Sequence, residues 1–265
     1  MKAIRIATFL APNVYPVYRF IVEYIGQKLD CPTEIIYVNS HDDYFDVAAD
    51  MSFICGLPYI LFMEQVPDAL ELIAAPVLLG ERYQNKPIYF SDVIVAKDSS
   101  YQQLQDLRGK KWGYNEKISQ SGYGITRHHL LKMGETDGFF GRVIDAKSHQ
   151  NTMSLVADRK LDAGAIDTQV LEVEWIQHPE LRGQLRIIDS FGPSPIQPVV
   201  VDKRMPDVLK SDIQGVLLAI GQDENAKAEL AKGIFKRFVK VTDSDYDPIR
   251  AMLEQARKAN FLELQ

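Results

Sequence analysis

KWGYNEKISQSGYGITR, Lys111 to Arg127, is the stretch on which the reading of the chain turns. Trp112-Gly113-Tyr114 is a short apolar run of strand type, a polar loop comes next, and Ser119-Gln120-Ser121-Gly122 opens what reads as a helix through Met133. The first N–H groups of a helix have no partner inside it, and serine is a favoured residue for capping them. Those amides, the helix dipole and two hydroxyls together make an anion site. Plain capping by Ser119 or Ser121 is the competing reading, and the local sequence does not separate the two.

Outward from this stretch a strand–helix rhythm recurs. Downstream, strands are predicted at Arg142 to Ala146, Ala163 to Ile166 and Leu185 to Asp189, with helices at Asn151 to Arg159 and Thr168 to His178. Upstream, a helix is expected over Tyr101 to Leu107. Alternation of this kind predicts a parallel α/β sheet. The first part of the chain repeats it. A strand ends near Phe9, a helix carries Val14, Val17, Ile21, Ile25 and Leu29, and further strands are expected at Glu34 to Val38, Met51 to Ile54 and Glu71 to Leu79. A short helix is expected around Tyr44 to Ala48. Cys55-Gly56-Leu57-Pro58-Tyr59 reads as a tight turn at the carboxyl end of a strand, the edge where open α/β sheets bind ligands.

Ile88 to Ala96 is long enough to leave one sheet and enter another. Phe191 to Pro198, with prolines at 193, 195 and 198, should be extended and stiff, a second crossing strand. Helices are then expected at Pro206 to Ile220, at Asn225 to Gly233, and finally after Thr242 with Asp245 completing a near capping box. The last helix is expected to pack on the first lobe. The fold class expected is α/β, two Rossmann-like lobes joined by two crossing hinge strands: residues 1–91 with 197–265, and 92–196.

A chain of 265 residues, 46% hydrophobic and 25% charged, has the composition of an ordinary globular protein. Its net charge of -6 argues against a general grip on nucleic acid. No apolar run has the ~18 residues that a transmembrane helix needs. The N-terminal residues read as a strand and not as an export signal. Cys31 and Cys55 lack the spacing of a zinc site and are expected to be free and mostly buried. His41-Asp42-Asp43 is better read as a solvated turn than as a metal site. The chain carries no G-x-S-x-G, H-E-x-x-H, P-loop or G-x-G-x-x-G, so no cofactor is expected.

With both sheets facing one cleft, the lining would be Asn13 and Tyr15, Tyr59, Tyr89, Ser119-Gln120-Ser121-Gly122, His149 and Asp167. This is a polar and aromatic set without a cluster of carboxylates or thiols, suited to a small oxyanion with an apolar stub. Several have a structural alternative. Asp167 and His149 could cap helices, Tyr89 could be core, and the adjacent His128 and His129 point about 100° apart and are read as partly exposed helix residues.

The order Cys55-Gly56-Leu57-Pro58-Tyr59, Tyr89-Phe90-Ser91, Ser119-Gln120-Ser121-Gly122-Tyr123, Ser148-His149, Asp162-Ala163-Gly164-Ala165 and Ser194-Pro195-Ile196 resembles the phosphonate, phosphite and phosphate-type substrate-binding proteins of ABC transporters. The resemblance spans nearly the whole chain. It implies the type II periplasmic-binding-protein fold and a non-enzymatic receptor, expected to be a monomer, whose lobes close on an oxyanion and pass it to a permease. It further implies that Ser119, Gln120, Ser121 and His149 grip the oxyanion, with Tyr89 at the hinge and Tyr59 in the first lobe's loop. Two departures stand out: Ile196-Gln197-Pro198 lacks the acid that aminophosphonate binders place there, and no export signal is read. An enzyme on the same scaffold, using His149, Asp167 or Cys55, and a ligand-sensing module are the alternatives, with a cytoplasmic location in place of the periplasm.

Overall fold

The computed structural model describes residues 2–38 and 47–265. Along the chain it forms β1 (Ile4–Thr8), α1 (Tyr15–Leu29), β2 (Thr33–Tyr37), β3 (Met51–Phe53), α2 (Gly56–Gln65), β4 (Leu70–Leu78), β5 (Ile88–Ala96) and β6 (Lys111–Tyr114). After a π-turn at Gln120–Gly124 come α3 (Ile125–Lys132), β7 (Arg142–Asp145), α4 (His149–Ala157), β8 (Ala163–Asp167), α5 (Thr168–Gln177), the short α6 (Leu181–Gln184) and β9 (Leu185–Pro195). The remainder is β10 (Val199–Asp202), α7 (Asp207–Ile220), α8 (Glu224–Ala231), β11 (Phe235–Val239) and α9 (Asp247–Lys258).

Two compact units result, Met1–Ile88 with Pro195–Asp247, and Tyr89–Ser194 with Pro248–Gln265. The first unit holds a six-stranded sheet in the order β11-β4-β10-β3-β1-β2. In β1, Ile4 and Ile6 are buried while Arg5 is partly exposed, and from Ile6 to Thr8 every residue is buried, so the strand's end is covered on both faces. On α1, Val17, Ile21 and Ile25 recur every four residues and are buried. That helix stops at Asp30, whose left-handed backbone (φ 48°) cannot continue it. The second unit holds a five-stranded sheet, β7-β6-β8-β5-β9. Its β8, Ala-Gly-Ala-Ile-Asp, is buried throughout. A Cβ on Gly164 would lie 2.5 Å from Thr152 Cγ2 and 2.8 Å from Gly113 O, so the small residue lets α4 and β6 close on the strand.

The α/β architecture agrees with the sequence expectation, and four details differ. The sheets are mixed. β1, β2 and β3 run parallel, but β10 is antiparallel to β3 and β4, and β5 is antiparallel to β8. Strands that return from the other unit enter against the parallel set. Over Tyr101 to Leu107 only a 3-10 turn forms, Leu104–Leu107, closed by a capping box between Gln103 and Asp106. The strand β11 has no counterpart in the sequence expectation. Last, Pro248–Gln265 belongs to the second unit, because Phe261 and Leu264 are buried in a core with Trp112, Tyr114 and Tyr123. The helix expected around Tyr44 to Ala48 lies outside the described residues except for Val47 and Ala48, which are not helical. His41-Asp42-Asp43 also lies outside them. Cys31 and Cys55 are both free, and only Cys55 is buried.

Candidate functional site

In the second unit β6 runs parallel to β7 and to β8, so their carboxyl ends share one edge of the sheet. The π-turn, the Ser148-His149 corner and Asp167 all emerge there. Ser119 is the cap of the π-turn: its backbone is extended and its Oγ accepts from Gly122 N at 3.1 Å. Gly124 N donates to Ser119 O at 2.9 Å, five residues back. Bonds of that span leave one more unused N–H at the start than an α-helix does.

Ser119 Oγ lies 3.3 Å from Ser121 Oγ, and Ser121 Oγ lies 3.1 Å from His149 Nε2. All three side chains are buried. These three groups therefore converge within one unit. His149 is the first residue of α4, presented by Ser148, whose Oγ caps the helix by accepting from Asn151 N at 3.0 Å. The result is a chain of two hydroxyls and an imidazole beside a turn of backbone donors.

The other candidates divide. Gln120 is buried and its Nε2 reaches Met252 Sδ at 3.2 Å, so what it offers at the edge is its backbone. Asp167 Oδ1 accepts from Gln169 N at 2.8 Å and Val170 N at 3.3 Å, and so caps α5. Tyr89 is buried on β5 in the second unit. Asn13, Tyr15 and Tyr59 belong to the first unit. Asn13 sits in a 3-10 turn, Pro12–Val14, after β1. Tyr15 packs on Tyr37, ring centroids 4.4 Å apart, and burial followed by the neighbouring Tyr37 phenol raises its pKa. Tyr59 is buried and its hydroxyl donates to Asp243 Oδ1 at 2.6 Å.

The reading of His128 and His129 as partly exposed needs correction for the first. His128 is buried, with Nδ1 3.0 Å from Gln255 Oε1, because Pro248–Gln265 packs where the sequence reading left open surface. Arg127, also buried, donates from Nη1 to Leu262 O at 2.6 Å. Sequence reasoning also missed Asn115. It comes directly after β6, and a Cβ on Gly122 would stand 1.9 Å from its Oδ1. The glycine two residues after Gln120 was the available signal, since a residue without Cβ marks a close approach. Among the described residues no group of three or more His, Cys, Asp or Glu could hold a metal, and no helix is long and apolar enough to cross a membrane.

Two mixed α/β units, each built on its own sheet, have the architecture of the periplasmic-binding-protein class. Residues 6–246 match the family described as ABC transporter, phosphonate, periplasmic substrate-binding protein. The chain belongs to that family. It is 24% identical over 256 residues to the phosphonates-binding periplasmic protein of Escherichia coli (strain K12), covering 93% of this chain and 74% of that protein. Its fold is similar to that of a binding protein component of an ABC phosphonate transporter from Pseudomonas aeruginosa, with a TM-score of 0.85, 19% identity, and 98% and 89% of the two chains covered. It is likewise similar to PhnD1 of Prochlorococcus marinus (MIT 9301) in complex with methylphosphonate, with a TM-score of 0.82, 19% identity and 98% of each chain covered.

Proposed function

We propose that this chain is the capture protein of an ABC importer, working outside the cytoplasmic membrane, and that it binds a small tetrahedral oxyanion of the phosphonate, phosphite or phosphate class. The observation that carries this reading is the buried sequence of contacts Ser119 Oγ, Ser121 Oγ, His149 Nε2 beside the amides of the π-turn. Hydroxyls and backbone amides hold an anion by directed hydrogen bonds, and burial strengthens each of them. His149 donates from Nε2 when that nitrogen carries the proton, and then Ser121 Oγ is freed to donate onward. Membership of a transport family and the methylphosphonate complex of the Prochlorococcus relative support the same ligand class. The E. coli relative's description as periplasmic supports the location, and the partner is then a permease.

Isothermal titration with methylphosphonate, phosphite and phosphate tests the reading. At least one should bind with a dissociation constant at or below the micromolar range and raise the melting temperature by mass action. Ser121→Ala should weaken that binding about tenfold to a hundredfold, the value of one hydrogen bond to a charged group. Absence of heat and of thermal shift with all three at millimolar concentration would refute the ligand class.

A further inference from the structure

Asn115 stands at the anion turn with a polar atom the protein does not use. The residue is 9% exposed, and Oδ1 is buried without a hydrogen-bond partner. The same oxygen lies against Gly122, inside the turn that Ser119 caps, where a Cβ would stand 1.9 Å away. A buried carboxamide oxygen left unpaired is costly, and native proteins retain such a group where something else completes it. The neighbouring groups are of the opposite kind. Backbone amides donate, and the Ser119 and Ser121 hydroxyls and His149 Nε2 each have a proton to give in one of their states.

We infer that Asn115 is a further ligand-contacting residue and sets specificity, its Oδ1 accepting a hydrogen bond from an oxyanion that still carries a proton. The inference rests on the proposed function and narrows its ligand class. A phosphonate or phosphate monoanion keeps a P–OH at near-neutral pH and satisfies both the donors of the turn and the lone acceptor. A sulfonate or sulfate has no such proton, so its oxygens face the Asn115 carbonyl oxygen with repulsion and leave that acceptor unpaired. Sites built around a hydrogen bond to a ligand OH reject analogues lacking it far more strongly than apolar pockets reject a missing methylene.

The test is titration of the wild-type protein, Asn115→Ala and Asn115→Ser with methylphosphonate and with methanesulfonate near pH 6. The wild type should prefer methylphosphonate by about a hundredfold or more, and both variants should cut that preference to about tenfold or less, by weakening methylphosphonate and by relieving the repulsion of methanesulfonate. The serine variant serves where alanine lowers the melting temperature. In the wild type, the phosphorus NMR shift of bound methylphosphonate should remain that of the monoanion after free ligand has lost its second proton. Wild-type binding of methylphosphonate with an unchanged preference in both variants, or a bound ligand that titrates like free ligand, overturns the role of Asn115 alone. A wild type that binds no oxyanion overturns the proposed function and this inference with it.

Discussion

His129 shows how a single side chain ties this fold to pH. Its ring stacks on Phe191 with centroids 4.1 Å apart and planes 19° from parallel. Burial first, then His128 and Lys132, push its pKa down from the ordinary 6.5 to about 4, against an opposing pull from Asp189. The native state thus holds the ring neutral while the unfolded chain protonates it near its ordinary value, so unfolding takes up a proton in that window. The stability this neutral ring contributes is complete above pH 6.5 and is lost as the pH falls toward 4. Calorimetry at about pH 7, 5.5 and 4.5 should show the melting temperature falling, and His129→Gln, which cannot take the proton, should fall less steeply. Parallel curves for the two proteins would show that His129 carries none of the dependence. At this scale the legibility of the sequence is uneven. That Ser119, Ser121 and His149 come together at one sheet edge was legible, because caps and sheet-edge loops have local signatures. Asn115 was not, since its meaning depends on the Cα of Gly122, which only the folded turn brings beside it.

Among the elements, the strands and helices with strong local periodicity were legible nearly to their ends, as in β5, β6 and α7. Strand direction was not, because β10 and β5 take their antiparallel sense from where the chain re-enters each sheet. Short β11 comes after an alanine-rich helix and has Phe235 and Phe238 facing the core, a spacing that also fits a helix tail. One close approach between elements offers a sharp test. Gly141, just before β7, donates from its N to Lys110 O at 2.9 Å, and a Cβ there would meet Gly109 O at 2.3 Å. The obstructing atoms, Gly109 O, C and Cα, are all backbone, so no side chain can swing aside, and the β6–β7 pairing begins one residue on at Lys111 and Arg142. Gly141→Ala should therefore destabilise the protein by about 1–3 kcal/mol, the usual cost of overpacking, with the loss read from the urea midpoint. A change under about 0.5 kcal/mol would mean that the β6–β7 corner is softer than its contacts indicate.

For the molecule as a whole, the surprise lies in which core receives the final segment. The sequence makes α9 amphipathic, with Ile249, Leu253 and Ala256 on its buried face, but an apolar stripe does not name its partner. The specificity comes from the residues beyond the helix. Leu264 N donates to Tyr123 OH at 2.8 Å, Arg127 donates to Leu262 O at 2.6 Å, and Phe261 and Leu264 enter the core of the second unit. Tyr123 and Arg127 lie on the π-turn and α3, so the same segment braces the element that carries Ser119 and Ser121. Phe261 is 1% exposed, and Phe261→Ala should cost about 3–5 kcal/mol through lost transfer energy and the cavity left behind. The two tryptophans, Trp112 and Trp175, both lie in the second unit, so their fluorescence reports on it. Denaturant unfolding followed by that fluorescence should shift to a lower midpoint in Phe261→Ala. If the final segment packed on the first unit, as the sequence reading expects, the tryptophan transition would stay in place while the circular dichroism transition moved.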